Sequence, residues 1–296
     1  MFNWKDKRVL VTGSEGMIGK ELCEQLEVLG ADIWRFDIKL NSDVVMDITD
    51  KSAVEIAVSN KIDYVFHLFG IKGNPKKTNE RPADFMIPML QGDTNIIEAC
   101  QKYGVKQMLY TSSIAVENPE TDFYPAWAKQ TAEHLIDAMR TQYPKGTNYC
   151  IVRPANVFGR YDNFDNPDAM VITSLIAKAK RGEDLVIWGD GEFERDFISA
   201  KEVARGMIKV MENIDWCQKP VALSSGLGTK IKEVVALITG YMNVKATHDY
   251  TKQAMGSQSK IMQPDYKLHK KIGFTIPPGS FVTELKEVCN YVRNNK

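Results

Sequence analysis

The sequence predicts an α/β fold, a doubly wound parallel sheet followed by a smaller C-terminal α/β lobe. Three observations predict it. Apolar strand-like runs alternate with helical stretches through at least five strands. The first run breaks into three glycines spaced three apart, Gly13-x-x-Gly16-x-x-Gly19, and resumes with helical periodicity. Several runs are nearly continuous in apolar residues and end in glycine, serine or a carboxylate, as buried parallel strands do where they open onto a ligand crevice.

Val9-Leu10-Val11-Thr12 reads as the first strand, the glycine triplet as a tight turn, and Met17 to Leu29 as a helix. Glycine lets such a turn bend sharply and lets the backbone approach a pyrophosphate, while the helix N-terminus presents unpaired N–H groups to it. The spacing differs from the commoner Gly-x-Gly-x-x-Gly. The second strand, Asp32 to Asp37, ends in a carboxylate 18 residues beyond Gly19. A carboxylate there accepts hydrogen bonds from both ribose hydroxyls and repels a 2′-phosphate, so the expected cofactor is NAD rather than NADP.

In Val44-Val45-Met46-Asp47-Ile48-Thr49-Asp50, Asp47 follows a short apolar strand and Asp50 caps a helix reaching Asn60. Ile62 to Gly70 reads as a buried strand, with His67 inside it as a satisfied core histidine. The segment Ile71 to Pro82, with three lysines, an arginine and two prolines, reads as an exposed loop. A helix over Phe85 to Tyr103 and a strand over Lys106 to Ser113 follow. Gly13, Asp37, Gly70 and Ser113 thus all fall at carboxyl ends of strands. Further strands read at Tyr149 to Pro154 and Leu185 to Trp188, a strand and turn at Val221 to Gly226, and further helices at Trp127 to Tyr143, Lys201 to Met211, Ile231 to Gly240 and Ser280 to Asn294.

The whole composition excludes several classes. The 296 residues are 44% apolar and 26% charged, ordinary values for a globular protein. Lys plus Arg equals Asp plus Glu at 38 each, so bulk charge favours neither nucleic acid nor a membrane surface. Cys23, Cys100, Cys150, Cys217 and Cys289 lie far apart, without metal-type spacing, and read as reduced thiols of a cytoplasmic protein. The N-terminus does not resemble a signal peptide, and no apolar run is long enough to cross a bilayer.

The chain resembles the extended short-chain dehydrogenase/reductase family, Rossmann-type enzymes that mostly act on nucleotide-activated sugars. The likeness covers nearly the whole chain. It is carried by Thr12-Gly13-x-x-Gly16-x-x-Gly19, Asp37, Asp47, His67-Leu68, Gly92 with Asn95-Ile96-Ile97-Glu98-Ala99, Tyr110 to Ser113, Lys129 with Glu133, Arg153 to Gly159, and Gly189-Asp190-Gly191-x-x-x-Arg195-Asp196-Phe197-Ile198. The resemblance implies a cofactor domain over 1–155, with return contributions from about 197–225, and a substrate lobe over 156–296. It assigns NAD to Gly13, Gly16, Met17, Ile18, Gly19, Asp37, Asp47, Ile48, Leu68, Phe69, Gly70, Thr111, Lys129, Pro154 and Val157. Substrate falls to Ser113, Asn156 and Arg195, the last two matching positions that hold a substrate diphosphate. It further implies a homodimer built on the helices Phe85 to Tyr103 and Trp127 to Tyr143.

In such enzymes a serine, a tyrosine and a lysine move a hydride on or off a sugar carbon. The tyrosinate handles the hydroxyl proton, the lysine lowers the phenol's pKa, and the serine positions the reacting oxygen. Ser113 and Lys129 match, but Tyr-x-x-x-Lys places Pro125 where the tyrosine belongs, with Tyr124 one residue earlier. Either Tyr124 supplies the phenol, the preferred reading, or Glu117, Glu120 or Asp122 replaces it; Tyr124 packing on Trp127 is the bland alternative. The run Gly159 to Asp165 is similar to GDP-fucose synthases. Ala115 and Met170 stand where those enzymes use a cysteine and a histidine to epimerise carbons beside a ketone, and neither side chain exchanges a proton. Ile114-Ala115 likewise replaces the Asp-Glu of the 4,6-dehydratases.

The expected function is therefore NAD-dependent hydride transfer on a nucleotide-activated sugar at C4, as epimerase or dehydrogenase/ketosugar reductase, with a GDP-sugar favoured. The rival reading is a non-catalytic NAD-binding sensor or scaffold that kept the fold. An RNA-binding relative finds no support in the balanced charge.

Overall fold

A computed structural model describes residues 2–39, 42–71, 75–117, 123–166, 169–252 and 261–295. The chain begins with β1 (Arg8–Thr12), α1 (Met17–Val28), β2 (Asp32–Asp37), β3 (Val44–Val45), α2 (Lys51–Ser59) and β4 (Tyr64–His67). It continues through α3 (Pro75–Glu80), α4 (Pro82–Tyr103), β5 (Gln107–Thr111), α5 (Tyr124–Gln142) and β6 (Asn148–Pro154). With β11 (Val221–Leu223), these strands form a seven-stranded sheet in the order β3-β2-β1-β4-β5-β6-β11, every neighbouring pair parallel. Strand order reverses between β1 and β4, and ligands of such sheets sit beyond the carboxyl ends at that reversal.

Covering helices explain why β1 is apolar on both faces. Val9 and Val11 enter the core beneath α1 and α7 (Ala200–Glu212), while Leu10 enters the opposite core beneath α2, α4 and α5. All three are fully buried, each contributing about 1.5–3 kcal/mol of burial free energy. Asp50 caps α2, its carboxylate accepting from Ser52 and Ala53 N–H. Pro82 and Pro125 lie in the first turns of α4 and α5, where a missing N–H costs nothing.

After β6 the chain crosses into a second lobe. Here β7 (Asn156–Phe158) pairs with β10 (Phe197–Ser199), β8 (Leu185–Trp188) with β13 (Ala246–Asp249), and β9 (Glu194–Arg195) with β12 (Thr229–Lys230). Their core is closed by α6 (Val171–Lys180), α8 (Ile231–Met242) and α10 (Ser280–Asn294) through Leu175, Ile176, Val234, Ile238 and Leu285. The short α9 (Tyr266–Lys271) carries His269 back to the Ala222 carbonyl of β11.

One segment departs from the expected loop. Within Ile71 to Pro82 lies α3, and its Thr78 is fully buried. A proline opening a helix is well placed, its fixed φ matching the first helical residue.

Candidate active site

The turn after β1 is shaped by two glycines. Gly13 has φ +69°, and a Cβ there would meet the Leu68 and Phe69 backbone at 3.2–3.3 Å. A Cβ on Gly19 would lie 2.7 Å from the Ser14 Cα and carbonyl oxygen and closer still to the Gly13 carbonyl. That carbonyl is already fixed, accepting from Gly16 N–H at 3.0 Å. The first turn of α1, with Met17 and Ile18, therefore rests directly on the turn and points its N-terminus at the crevice.

Asp37 ends β2 beside this turn. Its carboxylate accepts from the Glu15 N–H at 3.0 Å and the Lys39 N–H at 3.2 Å, so one residue joins strand end and glycine turn. Asp47 accepts from the Thr49 N–H and hydroxyl at 2.9 Å, and Asn95 of α4 donates to the Ile48 and Thr49 carbonyls at 3.0 Å. The segment carrying Asp47 and buried Ile48 is thus held from both ends.

The ends of β4 and β5 come next. Leu68 N–H donates to the Thr12 carbonyl and hydroxyl, tying β4 to β1. Lys129 of α5 reaches over to donate to the Phe69 carbonyl at 2.9 Å, its Cε 4.0 Å from where a Gly70 Cβ would stand. At the end of β5, Thr111 and Ser112 are buried, and Ser113 is half-buried, its Oγ accepting from the Ala115 N–H at 3.1 Å. Pro154 ends β6 in a buried position, and Val157 of β7 packs against the core beneath α1.

Beneath Lys129 lies a polar cluster that sequence reasoning did not find. Asp93 of α4, 1% exposed, accepts from His67 Nε2 at 2.8 Å and from the Tyr110 hydroxyl at 2.6 Å, with Lys129 Nζ 3.7 Å away. His67 Nδ1 meets the Thr12 hydroxyl at 2.7 Å. With Nε2 donating to the carboxylate, Nδ1 accepts, so His67 is neutral and satisfied in the core. Burial lowers its pKa, against the pull of Asp93. Burial would raise the Asp93 carboxyl, but Lys129, His67 and Tyr110 hold it below the ordinary aspartate value. Burial also lowers the Lys129 ammonium, and Asp93 opposes that. The missed signal was present: Met89, Gly92, Asp93, Ile96, Ile97 and Cys100 form the buried stripe of α4 at helical spacing, with Asp93 inside it.

Tyr124 is placed differently from Lys129. It opens α5 and its ring packs edge-on against Trp127, with centroids 5.3 Å apart. At about 100° per residue, Tyr124 points roughly 140° away from Lys129 around the helix, whereas buried Pro125 shares the Lys129 face. Glu117 is engaged elsewhere, bonded at 2.7 Å to Arg153, which also forks onto Glu133. Glu120 and Asp122 lie outside the described residues.

On the second lobe, Asn156 Nδ2 donates to the Asp196 carbonyl at 2.8 Å. Asp196 is buried and its carboxylate accepts from Ser225 N–H and Oγ and from Gly226 N–H, fixing the loop after β11. Arg195 lies over the Phe193 ring at 4.3 Å, and burial lowers its guanidinium pKa, so an anion would restore what burial takes away. Ala115 is half-buried on the turn after Ser113, and Met170 is exposed before α6.

This arrangement fits a dinucleotide. Among the described residues the buried Ser14, Thr111 and Ser112 hydroxyls, at the strand ends that border the crevice, have no hydrogen-bond partner, and the glycine turn packs backbone against backbone where a side chain would not fit. Residues 9–223 match the family model described as the NAD dependent epimerase/dehydratase family. The chain belongs to that family. It is accordingly an NAD-dependent enzyme. It is 28% identical over 252 residues to a dTDP-4-dehydro-6-deoxy-D-allose reductase of a Streptomyces species, covering 74% of this chain and 77% of that one. It is 27% identical over 270 residues to the GDP-L-fucose synthase of Escherichia coli K12, covering 79% and 82%. Among solved structures it superposes with TM-score 0.82 and 25% identity on the UDP-N-acetylglucosamine 4-epimerase of Methanobrevibacter ruminantium M1, covering 99% of this chain and all of that one. Ser113 follows the end of β5, and Pro125 and Lys129 lie one turn apart in α5.

Proposed function

We propose that this protein transfers a hydride to C4 of a nucleotide-activated 4-ketosugar, with a GDP-sugar as the favoured substrate. The observation that carries the reading is the character of the groups at the reacting position. Ser113 offers a hydroxyl and Lys129 an ammonium, both donors, and Pro125 occupies the face where a phenolate base would stand. Donors stabilise and protonate the oxyanion that grows when a carbonyl accepts a hydride; removing a proton from an alcohol calls for a base. Reduction is therefore favoured over oxidation.

Gly13 to Gly19, Asp37, Asp47, Ile48, Leu68 to Gly70, Thr111, Pro154 and Val157 would hold the cofactor, which supplies the hydride when reduced. Ser113 would orient the ketone oxygen, and Asn156 and Arg195 would bind the diphosphate, Arg195 as a guanidinium fork. The similarity to a 4-dehydro-sugar reductase supports the direction, and that to a GDP-L-fucose synthase supports the base. Ala115 and Met170 argue against epimerisation beside the ketone. A C4 epimerase is the second reading, favoured only if Tyr124 turns from Trp127 toward the site.

The same reading includes a homodimer through α4 and α5, which pack on each other and leave Ile87 and Trp127 exposed. All five cysteines are free and buried, which supports a reducing compartment such as the cytoplasm. The test is incubation with NADH or NAD and a panel of GDP-, UDP-, CDP- and dTDP-linked sugars and their 4-keto derivatives, following nicotinamide absorbance and product mass together. NADH oxidation with a GDP-4-ketosugar is expected. An isomeric product at unchanged absorbance would replace the reductase with the epimerase.

A further inference from the structure

Lys129 does not stand alone in the crevice. Its Nζ is drawn inward, donating to the Phe69 carbonyl at 2.9 Å, lying 4.7 Å over the Tyr110 ring, and approaching Asp93 to 3.7 Å. An ammonium this buried needs a compensating charge. The charged and titratable groups around it are few. From α4 comes Asp93; from β4, neutral His67; from β5, Tyr110, whose hydroxyl is committed to Asp93. From its own helix comes Glu133, which is forked onto Arg153 of β6, itself bonded to Glu117. Among the described residues, Asp93 is therefore the carboxylate left to balance Lys129.

Asp93 is in turn over-determined. His67 and Tyr110 occupy its two oxygens at 2.8 and 2.6 Å, and the Thr12 hydroxyl of β1 fixes the His67 ring from behind. Tyr110 and His67 stack with centroids 5.8 Å apart. The carboxylate thus sits at a fixed place beneath the ends of β1, β4 and β5, the three strands that border the crevice.

We propose that Asp93 is the positioning residue for Lys129: a buried carboxylate, locked by His67 and Tyr110, that keeps the lysine charged and aimed so that it serves as the proton donor where Pro125 has displaced the phenol. The proton-donor half rests on the reductase reading; the charge-holding half does not. In the reduction, an N–H bond of the Lys129 ammonium breaks as the O–H bond of the new C4 alcohol forms. The bound cofactor, when reduced, would supply the hydride and be left oxidised, and a proton from solvent would restore the ammonium.

The experiment is a pH titration of Lys129 in the cofactor-free protein, using lysine labelled at Cε and Nζ and assigned with Lys129→Arg, in wild type and in Asp93→Asn. Asparagine keeps the shape and can still accept from Tyr110. Removing an opposite charge at this range is expected to move the Lys129 titration down by about one pH unit or more. NAD affinity followed across pH gives the second readout. In Asp93→Asn it should match wild type at low pH, where Lys129 is charged, and fall away earlier as pH rises; Asp93→Glu should restore part of the range. An unchanged Lys129 titration, or NAD affinity weakened equally at every pH, would make Asp93 a packing residue only and overturn the proposal. If Asp93→Asn does not fold, the wild-type titration decides: an ammonium still charged at pH 7 is required, and a neutral Lys129 there would overturn it. If Lys129 responds as expected but no ketosugar is reduced, the charge-holding role stands and the reductase reading fails.

Discussion

Replacing Gly19 by alanine tests the part of the account on which cofactor binding depends. The new Cβ would meet three backbone atoms, two of them at 2.7 Å, where real Cβ contacts essentially never fall below 3.0 Å. The turn has little room to retreat. The Gly13 carbonyl is held by Gly16 N–H at 3.0 Å, Gly13 N–H donates to the Phe36 carbonyl at 2.9 Å, and the Gly13 Cα faces the Leu68 backbone. Overpacking of this kind costs about 1–3 kcal/mol. In a chain of this size that is a fall in Tm on the order of 2–5 °C. The cofactor suffers more, because α1 can no longer rest on the turn that presents its N–H groups. Losing one or two charge-assisted hydrogen bonds, at about 1.5–3 kcal/mol each, weakens NAD binding at least tenfold. Calorimetric titration with NAD and a thermal melt read the two effects separately. Gly240→Ala is the control: it lies in α8 with no atom near a new Cβ, so it should stabilise by about 0.5–1 kcal/mol and leave NAD binding unchanged. A Gly19→Ala protein that binds NAD as tightly as wild type would refute the assignment of the pyrophosphate to this turn.

Other consequences are equally direct. Tyr124→Phe should leave turnover within about twofold, because the ring packs on Trp127 and points away from Lys129; a drop of a hundredfold or more would return the phenol to the mechanism. Arg153→Ala strands Glu133, whose side chain is 8% exposed, and should cost about 3–5 kcal/mol, seen as a lower urea midpoint. Acid should unfold the protein from below about pH 6.5, the ordinary histidine value: the unfolded chain then protonates His67 while the folded pKa is lower, and Asp93 adds to the loss as pH falls further. A urea midpoint unchanged between pH 7.5 and 5 would contradict this. NADH should bind more tightly than NADPH, since the Asp37 carboxylate is anchored at the strand end by the Glu15 and Lys39 N–H groups.

Where the sequence was legible, local chemistry sufficed. The apolar run Val9 to Val11, the glycine triplet and Asp37 each announce their own structure, because a turn approached by backbone and a strand buried on both faces leave little freedom of residue type. The short strands β7, β9, β10, β12 and β13 were not legible as such, being two to four residues long and stabilised by partners distant in sequence. Asp93 was hidden for another reason. A carboxylate in a helix usually marks the solvated face, and only the spacing of its apolar neighbours places it inward. Asp196 follows Arg195 in sequence but spends its carboxylate on the Ser225 and Gly226 loop, a contact between segments about thirty residues apart that local spacing does not show.

The most direct test of the central claim is a single-turnover reaction of a GDP-linked 4-ketosugar with NADH carrying deuterium at the transferable position. The account predicts a product alcohol carrying the deuterium on C4 of the sugar, with the nicotinamide left oxidised. A product without deuterium, or with deuterium at any other carbon, would contradict it.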